Sequence, residues 1–593
     1  MMAVFFGGAK ITRFSLKREG TELLFVLALV LLVLLSWLPR TKGAIDLRWD
    51  GGAYYVLGTA LAEGRGYRLL NEPGEIPAIQ YPPLLPTLIA VHQFLLGTSD
   101  PVIVGRWLRL TFFLMFTAYI LVSYYILRRF LPVHFAFLGM AICLLHLMTH
   151  YLSDLCFAEI PYALASVLFV AFNGNSLSYG RSMVAGSLAA SAYLFRAAGI
   201  ALFLGWIAES LAKRNCKQFF LRIAIASLPV VAWQSYIAVV ESGPSFSAPV
   251  YEYQRADYLF YNTSYARNIS LRDPFEPQEG RASFAELADR FLSNLTLIPV
   301  NFGEAVSAKK EFWNQWVHKV LGATSTDFLM YLGPGVLGML VIGGLVLQLA
   351  RGDVLVPIYV FAYAAAVCLT PWPIQWTRYW APLTPFLALS LVLCLLSVRR
   401  VALEVVSWYG RILTHGALAA VFVVLVLIQS STLLNFYRDY HPEVQHVGPL
   451  GRLGKYPLFY DDVSQKLNRA LEWLRVNARN EDIVVSSMPH WAHIQTGLKT
   501  VMPPFERDQE RAQALLDLVP VRFVIVETAD LHPCSAGMCR GDYAAQYLLP
   551  LLSGAPERWS LAYVGEDDSL RIYERTNKKC STLALLAINS AGG

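Results

Sequence analysis

Apolar runs of membrane-spanning length constrain this chain more than any other feature of it. Leu23–Leu38 carries no charge, and comparable runs recur up to about residue 434. A helix rises about 1.5 Å per residue, so roughly 20 such residues cross the hydrocarbon core of a bilayer. Hydrophobic residues make up 55% of the 593 positions and charged ones only 16%, against roughly 25% charged in soluble domains. One soluble core cannot absorb that much apolar surface. The expected fold class is therefore an α-helical polytopic membrane protein. A formal charge of +6 is small for this length and gives no case for nucleic-acid binding.

Candidate spans begin near Glu22, Ile103, Val133, Leu155, Ser182, Ala197, Phe219, Phe328, Val354, Tyr379 and Ile412, which makes about eleven crossings. Lys10, Arg13, Lys17 and Arg18 precede the first, and no small-residue cleavage site follows it, so it reads as a retained span with its N-terminus inside. Arg128–Arg129, Arg181, Lys213–Arg214–Lys217, Arg351 and Arg399–Arg400 then fall on that same side, as expected of the cytoplasmic face. Leu84–Leu96 is too short to cross and is expected to lie outside as an interfacial helix. The chain divides into a transmembrane part, 1–434, with external loops 39–100 and 241–327, and an external tail, 435–593. It is expected in the plasma (inner) membrane.

The tail reads as a small α/β domain. Val463–Asn477 has apolar positions at helical spacing, and Arg507–Leu518 is a charged amphipathic helix. Asp482-Ile-Val-Val-Ser-Ser and Val521–Glu527 read as buried strands, and strands alternating with helices suggest a βαβ-type layer. Cys143, Cys156, Cys368 and Cys394 lie in apolar runs and read as core thiols, whereas Cys534 and Cys539 share a polar external loop where a disulfide is plausible. Asn262, Asn268 and Asn294 each begin an Asn-x-Ser/Thr sequon on the external side.

Ionisable residues at the outer ends of spans are the natural candidates for chemistry. The first group is Asp46-Leu-Arg-Trp-Asp50-Gly-Gly-Ala-Tyr-Tyr, followed by Gly64-Arg-Gly-Tyr67 and Tyr81-Pro-Pro-Leu. A carboxylate in a partly desolvated loop suits general-base work, and Asp50 is equally suited to capping a helix that starts at Gly51. The second group is Asp154 and Glu159, where either acid could also favour a helix start through the macrodipole. His146, His150 and Asp154 would share one helical face, a metal-like arrangement, but a break expected near Ser153 argues against it. His490-Trp-Ala-His493 is a weaker candidate of the same kind. Neither a Gly-x-Gly-x-x-Gly loop nor a phosphate loop is present, which suits a donor carried by lipid rather than by a nucleotide.

An Asp followed closely by Tyr, then Gly-x-Gly-Tyr, then Tyr-Pro-Pro-Leu resembles the first external loop of the C-type glycosyltransferase superfamily. The likeness is greatest to the branch of protein O-mannosyltransferases and lipid A aminoarabinose transferases. Tyr193-Leu-Phe-Arg196-Ala-Ala-Gly and Arg378-Tyr379-Trp-Ala-Pro382-Leu-Thr-Pro385 resemble two further motifs of that superfamily. The resemblance implies a polyprenyl-phosphate sugar donor and a lipid, glycan or protein acceptor. Asp50 would be the catalytic base, with Asp46 fitting the motif less well, and Asp154 and Glu159 would form the second acidic site, Glu159 in the better register. Arg196 and Arg378 would bind the leaving phosphate, unless each merely snorkels to the interface. Tyr54, Tyr55 and Tyr81 would belong to the substrate loop, and the loop 251–273 would cover the site or bind acceptor. Tyr81 stands where the aminoarabinose transferases carry a Lys on the donor phosphate, so phosphate binding there is not carried over. No cofactor or metal is expected to be strictly required, although a divalent ion is compatible with such acids. Two other readings stay open: an oligosaccharide-transferring enzyme of the same fold, and a transporter or flippase of a lipid-linked substrate, against which the absence of paired repeats counts.

Overall fold

A computed structural model of the chain describes residues 19–41, 43–173, 179–251, 254, 262–321, 327–372, 375–405, 408–438, 445–447, 453–455, 462–527, 544–565 and 568–576. Every predicted span meets a helix, but not every helix is long enough to cross. Among the described residues six helices are long and apolar enough, and the pair Val133–Leu145 and Leu147–Asp154, bent by 58°, would make a seventh. The other expected spans meet shorter helices. Glu159–Phe172, Tyr179–Phe195, Ile200–Ala212 and Leu355–Cys368 run only 13 to 17 residues, and 14 residues rise about 21 Å, short of a bilayer core of about 30 Å. The chain leaves helical geometry at Leu155–Ala158, at Arg196 and at Leu369–Trp372. Those breaks shorten the spans at the positions that build the site.

Helix ends follow local rules where the sequence provides them. Asp100 caps Pro101–Phe130, accepting from the Val102 and Ile103 amides with Pro at the first helical position, and Arg128 and Arg129 close its last turn. Leu84–Leu96 forms as expected: Leu85 and Ile89 face the core while Phe94 and Leu95 are exposed. Val133–Asp154 bends at His146 and ends at Asp154, beside the break expected near Ser153.

The tail forms the predicted helices and strands. A short hairpin, β1 (Gln445–Val447) and β2 (Leu453–Lys455), precedes the helix Asp462–Asn477. The main sheet has the order β4-β3-β5-β7-β6, comprising β3 (Ile483–Val485), β4 (Lys499–Val501), β5 (Val521–Glu527), β6 (Trp559–Val564) and β7 (Leu570–Arg575). β3 runs parallel to β4 and β5, while β7 runs antiparallel to β5 and β6. Alternation along β5 decides its packing, because successive side chains leave opposite faces of a strand. Phe523 and Ile525 join the core that runs through the helical bundle, whereas Val524 and Val526 join a second core with Leu516 and Leu551. One face of the sheet is thus sealed onto the rest of the protein.

Polar contacts complete that docking. The Thr500 amide donates to Asn71 O at 2.7 Å, and Lys499 Nζ reaches Glu75 at 2.8 Å and Leu70 O at 2.6 Å. Arg48 bonds Ser464. Cys143, Cys156, Cys368 and Cys394 are buried free thiols. Cys534 and Cys539 lie outside the described residues, as do the basic N-terminal residues.

Candidate active site

Asp50 opens the helix Asp50–Ala62 without capping it. The N-cap position is held by Trp49 at φ 53° and ψ −128°, with no side-chain cap bond. A bulky residue there is strained by about 1–3 kcal/mol, and such strain collects at functional sites. The turn sends Asp50 into a cavity of about 660 Å³. Its Oδ1 accepts from the Tyr81 hydroxyl at 2.9 Å and its Oδ2 from the Arg378 guanidinium.

A two-bond bridge sets Asp50 beside the second acidic segment. The Asp46 amide donates to Asp154 O at 3.0 Å, and the Cys156 amide donates to Asp46 O at 2.9 Å. Glu159, fully buried, follows directly and starts its own helix. Its Oε1 accepts from both Arg196 and Arg378. Asp50, Arg378, Glu159 and Arg196 therefore form one alternating chain of charge, drawn from four separate segments. Each guanidinium also lies on an aromatic ring, Arg378 at 4.4 Å from the Phe157 centroid and Arg196 at 4.7 Å from that of Tyr379. Arg196 and Arg378 face the cavity and are not merely snorkelling.

Other expected residues separate at this point. Tyr54 and Tyr81 line the cavity with their rings 4.7 Å apart. Burial and then the Asp50 charge push the Tyr54 phenol well above its ordinary range, which keeps it neutral. Tyr55 does not belong: one residue further round the helix, its hydroxyl donates to Ser99 O at 2.7 Å and the ring is buried. Asp46 is engaged by Arg48 and Asp154 by Arg109 at 2.9 Å; both acids are buried and neither lines the cavity. Glu159 does not line the cavity either, but it pairs with Arg196 and Arg378, which do, whereas Asp154 pairs with Arg109.

The histidine alignments dissolve as well. The helix bend separates His146 from His150, whose ring bonds Leu144 O. His490 and His493 lie on the helix Pro489–Thr496, where burial lowers their pKa to about 3 and about 4. Among the described residues no group of three His, Cys, Asp or Glu could hold a metal ion. The sequon amides are engaged too: Asn262 donates to Glu72, Asn268 Oδ1 accepts from Thr263, and Asn294 donates to Cys368 O.

Sequence reasoning missed the lining residues Lys309 and Glu527, while Tyr265 comes from the loop 251–273 expected to cover the site. Lys309 makes no ion pair within 4.0 Å among the described residues, so it adds a positive charge to a network whose two arginines already balance two carboxylates. No spacing signal marks it, because it reaches the cavity only through the packing of the segment 241–327.

A bundle of apolar helices, an acidic loop after the first of them that an arginine from a later helix reaches, and a C-terminal sheet packed against it make a fold similar to that of the C-type glycosyltransferases. No protein-family model and no curated relative matches the sequence. Solved structures do match in shape. The oligosaccharyltransferase AglB of Archaeoglobus fulgidus, in complex with an inhibitory peptide and a dolichol-phosphate, superposes with a TM-score of 0.51 at 12% identity, covering 96% of this chain and 75% of that one. ArnT of Cupriavidus metallidurans bound to undecaprenyl phosphate gives 0.50 at 12% identity, over 95% and 99%. The Archaeoglobus enzyme in complex with Zn and sulfate gives 0.50 at 14% identity, over 92% and 73%.

Proposed function

We propose that this protein is an inverting glycosyltransferase of the plasma membrane that moves a sugar from a polyprenyl-phosphate donor to an acceptor outside the cytoplasm. The observation that carries this reading is the charge chain in the cavity, with Asp50 at one end and two arginines behind it. Asp50 is the base: it takes the proton from an acceptor hydroxyl or amine, which attacks the anomeric carbon. The bond from that carbon to the phosphate oxygen breaks, and a single displacement inverts the centre. The phosphate leaves with the bonding pair, and Arg378, Arg196 and Lys309 stabilise its charge. Tyr81 holds the Asp50 carboxylate in place, and the basic N-terminus stays in the cytoplasm.

Among the described residues Asp50 and Glu159 are each paired with arginine, and no third acid or imidazole joins them to complete a metal site. The likeness to AglB supports a second reading within the same fold, transfer of an oligosaccharide. Both are tested by sugar release from labelled polyprenyl-phosphate donors carrying one sugar or several, with native protein and Asp50→Asn in the same membranes. Loss of the base is expected to slow release by about 10²- to 10⁴-fold. Equal activity of the two proteins would dismiss Asp50 as the base. Consumption of no donor by either would favour a transporter and call for a flipping assay.

A further inference from the structure

One wall of the cavity is built by the tail, through Ser487, Met502, Pro503 and Glu527. These residues follow or end three parallel strands: β3 stops at Val485, β4 at Val501 and β5 at Glu527. The carboxyl ends of the parallel strands therefore open onto the cavity. The chain leaves β3 toward β4 on one side and leaves β5 toward β6 and β7 on the other. Where neighbouring connections part in this way, a crevice forms at the carboxyl ends, and open α/β sheets bind their ligands there.

Glu527 stands in that crevice. It is 3% exposed, and its Oε1 accepts from the Ser487 hydroxyl at 2.9 Å. Its Oε2 is buried with no hydrogen-bond partner among the described residues. A buried carboxyl oxygen without a donor is costly, so the position calls for an O–H or N–H group from a ligand. A phosphate dianion offers no such group and repels a carboxylate, whereas a sugar presents several.

Resting on the polyprenyl-phosphate reading above, we propose that Ser487 and Glu527 form the subsite that holds the sugar of the donor. Glu527 Oε2 accepts from a sugar hydroxyl or amino group while Lys309, Arg196 and Arg378 hold the phosphate. The tail thereby acts as the specificity element of a site whose chemistry comes from the membrane part.

The test is binding to full-length protein in detergent micelles. The probes are bare undecaprenyl phosphate and undecaprenyl phosphate carrying mannose, glucose or 4-aminoarabinose. Native protein is expected to bind one glycosylated lipid more tightly than the bare one. Glu527→Ala should cut that sugar-dependent gain by about 10- to 100-fold, as expected for a hydrogen bond to a charged partner. Ser487→Ala should cut it less, and neither variant should change binding of the bare lipid. An intact gain in Glu527→Ala, no gain in native protein from any sugar, or equal weakening of both lipids would overturn the assignment alone. Failure of native protein to bind any of these lipids would instead overturn the polyprenyl-phosphate reading, and the assignment with it.

Discussion

In Glu159→Gln the side chain keeps its length and a carbonyl oxygen but loses its charge. In the native protein two carboxylates, Asp50 and Glu159, balance Arg196 and Arg378. The variant leaves one positive charge in excess among groups that are mostly buried, with Arg196 stripped of its carboxylate. At an effective dielectric of about 20, a carboxylate and a guanidinium 4 Å apart attract by about 4 kcal/mol. Removing one partner of such a buried pair typically costs about 3–5 kcal/mol. A lipid phosphate that docks on the same arginines supplies the missing anion. At about 100 times its dissociation constant it stabilises native protein by about 2.7 kcal/mol, and it should stabilise the variant by more. The assay is unfolding of the purified protein in micelles, with and without undecaprenyl phosphate. Without lipid the variant should be the less stable by about 3–5 kcal/mol, and lipid should narrow that gap. A gap below about 1 kcal/mol, the range of an exposed ion pair, would refute the buried network. A gap that lipid leaves unchanged would refute the meeting of phosphate and arginine.

Two further outcomes follow from the docking of the tail. A Cβ at Gly52 would lie 3.0 Å from His490 Cβ, 3.1 Å from Leu47 O and 3.2 Å from the Trp491 amide, so Gly52→Ala should destabilise by about 1–3 kcal/mol. Limited proteolysis of the tail should quicken in that variant, and a native digestion rate would show the contact to be loose. At Glu75 burial raises the carboxyl pKa, but hydrogen bonds and charges from Lys499 and Arg65 outweigh it and hold the group below its ordinary value. Its contribution is therefore present above the ordinary carboxylate range of about 4.3 and lost as pH falls through the lower native value. The stability difference between native protein and Glu75→Gln, followed against pH, should be flat near neutrality and vanish in acid; a difference that grows in acid would contradict this.

The candidate site was legible in its residue types and only partly in its roles. Asp50, Arg196 and Arg378 were marked by their places at span ends and by motif order, and the structure brings all three to one cavity. Asp154 and Glu159 are both acids near a helix start, and only the motif register favoured Glu159. Arg109 decides between them by neutralising Asp154, and its side chain arrives from a helix 45 positions away. Tyr55 shares a motif with Tyr54, but neighbouring residues on a helix point about 100° apart, so only one of them can face the cavity.

From the sequence alone came the membrane as solvent, the order of the helices, the short helix Leu84–Leu96 and the strands Ile483–Val485 and Val521–Glu527. These depend on hydrophobic periodicity and run length, which are local properties. Tertiary structure decided where the chain breaks at Leu155–Ala158, because that break takes its backbone partners partly from a distant segment, as Cys156 does from Asp46. It also brought Lys309 and Glu527 to the cavity, across separations that no spacing rule encodes. Charge compensation among Asp50, Glu159, Arg196 and Arg378 is a property of the folded site: in an extended chain these groups are far apart and solvated, and only packing at low dielectric couples them.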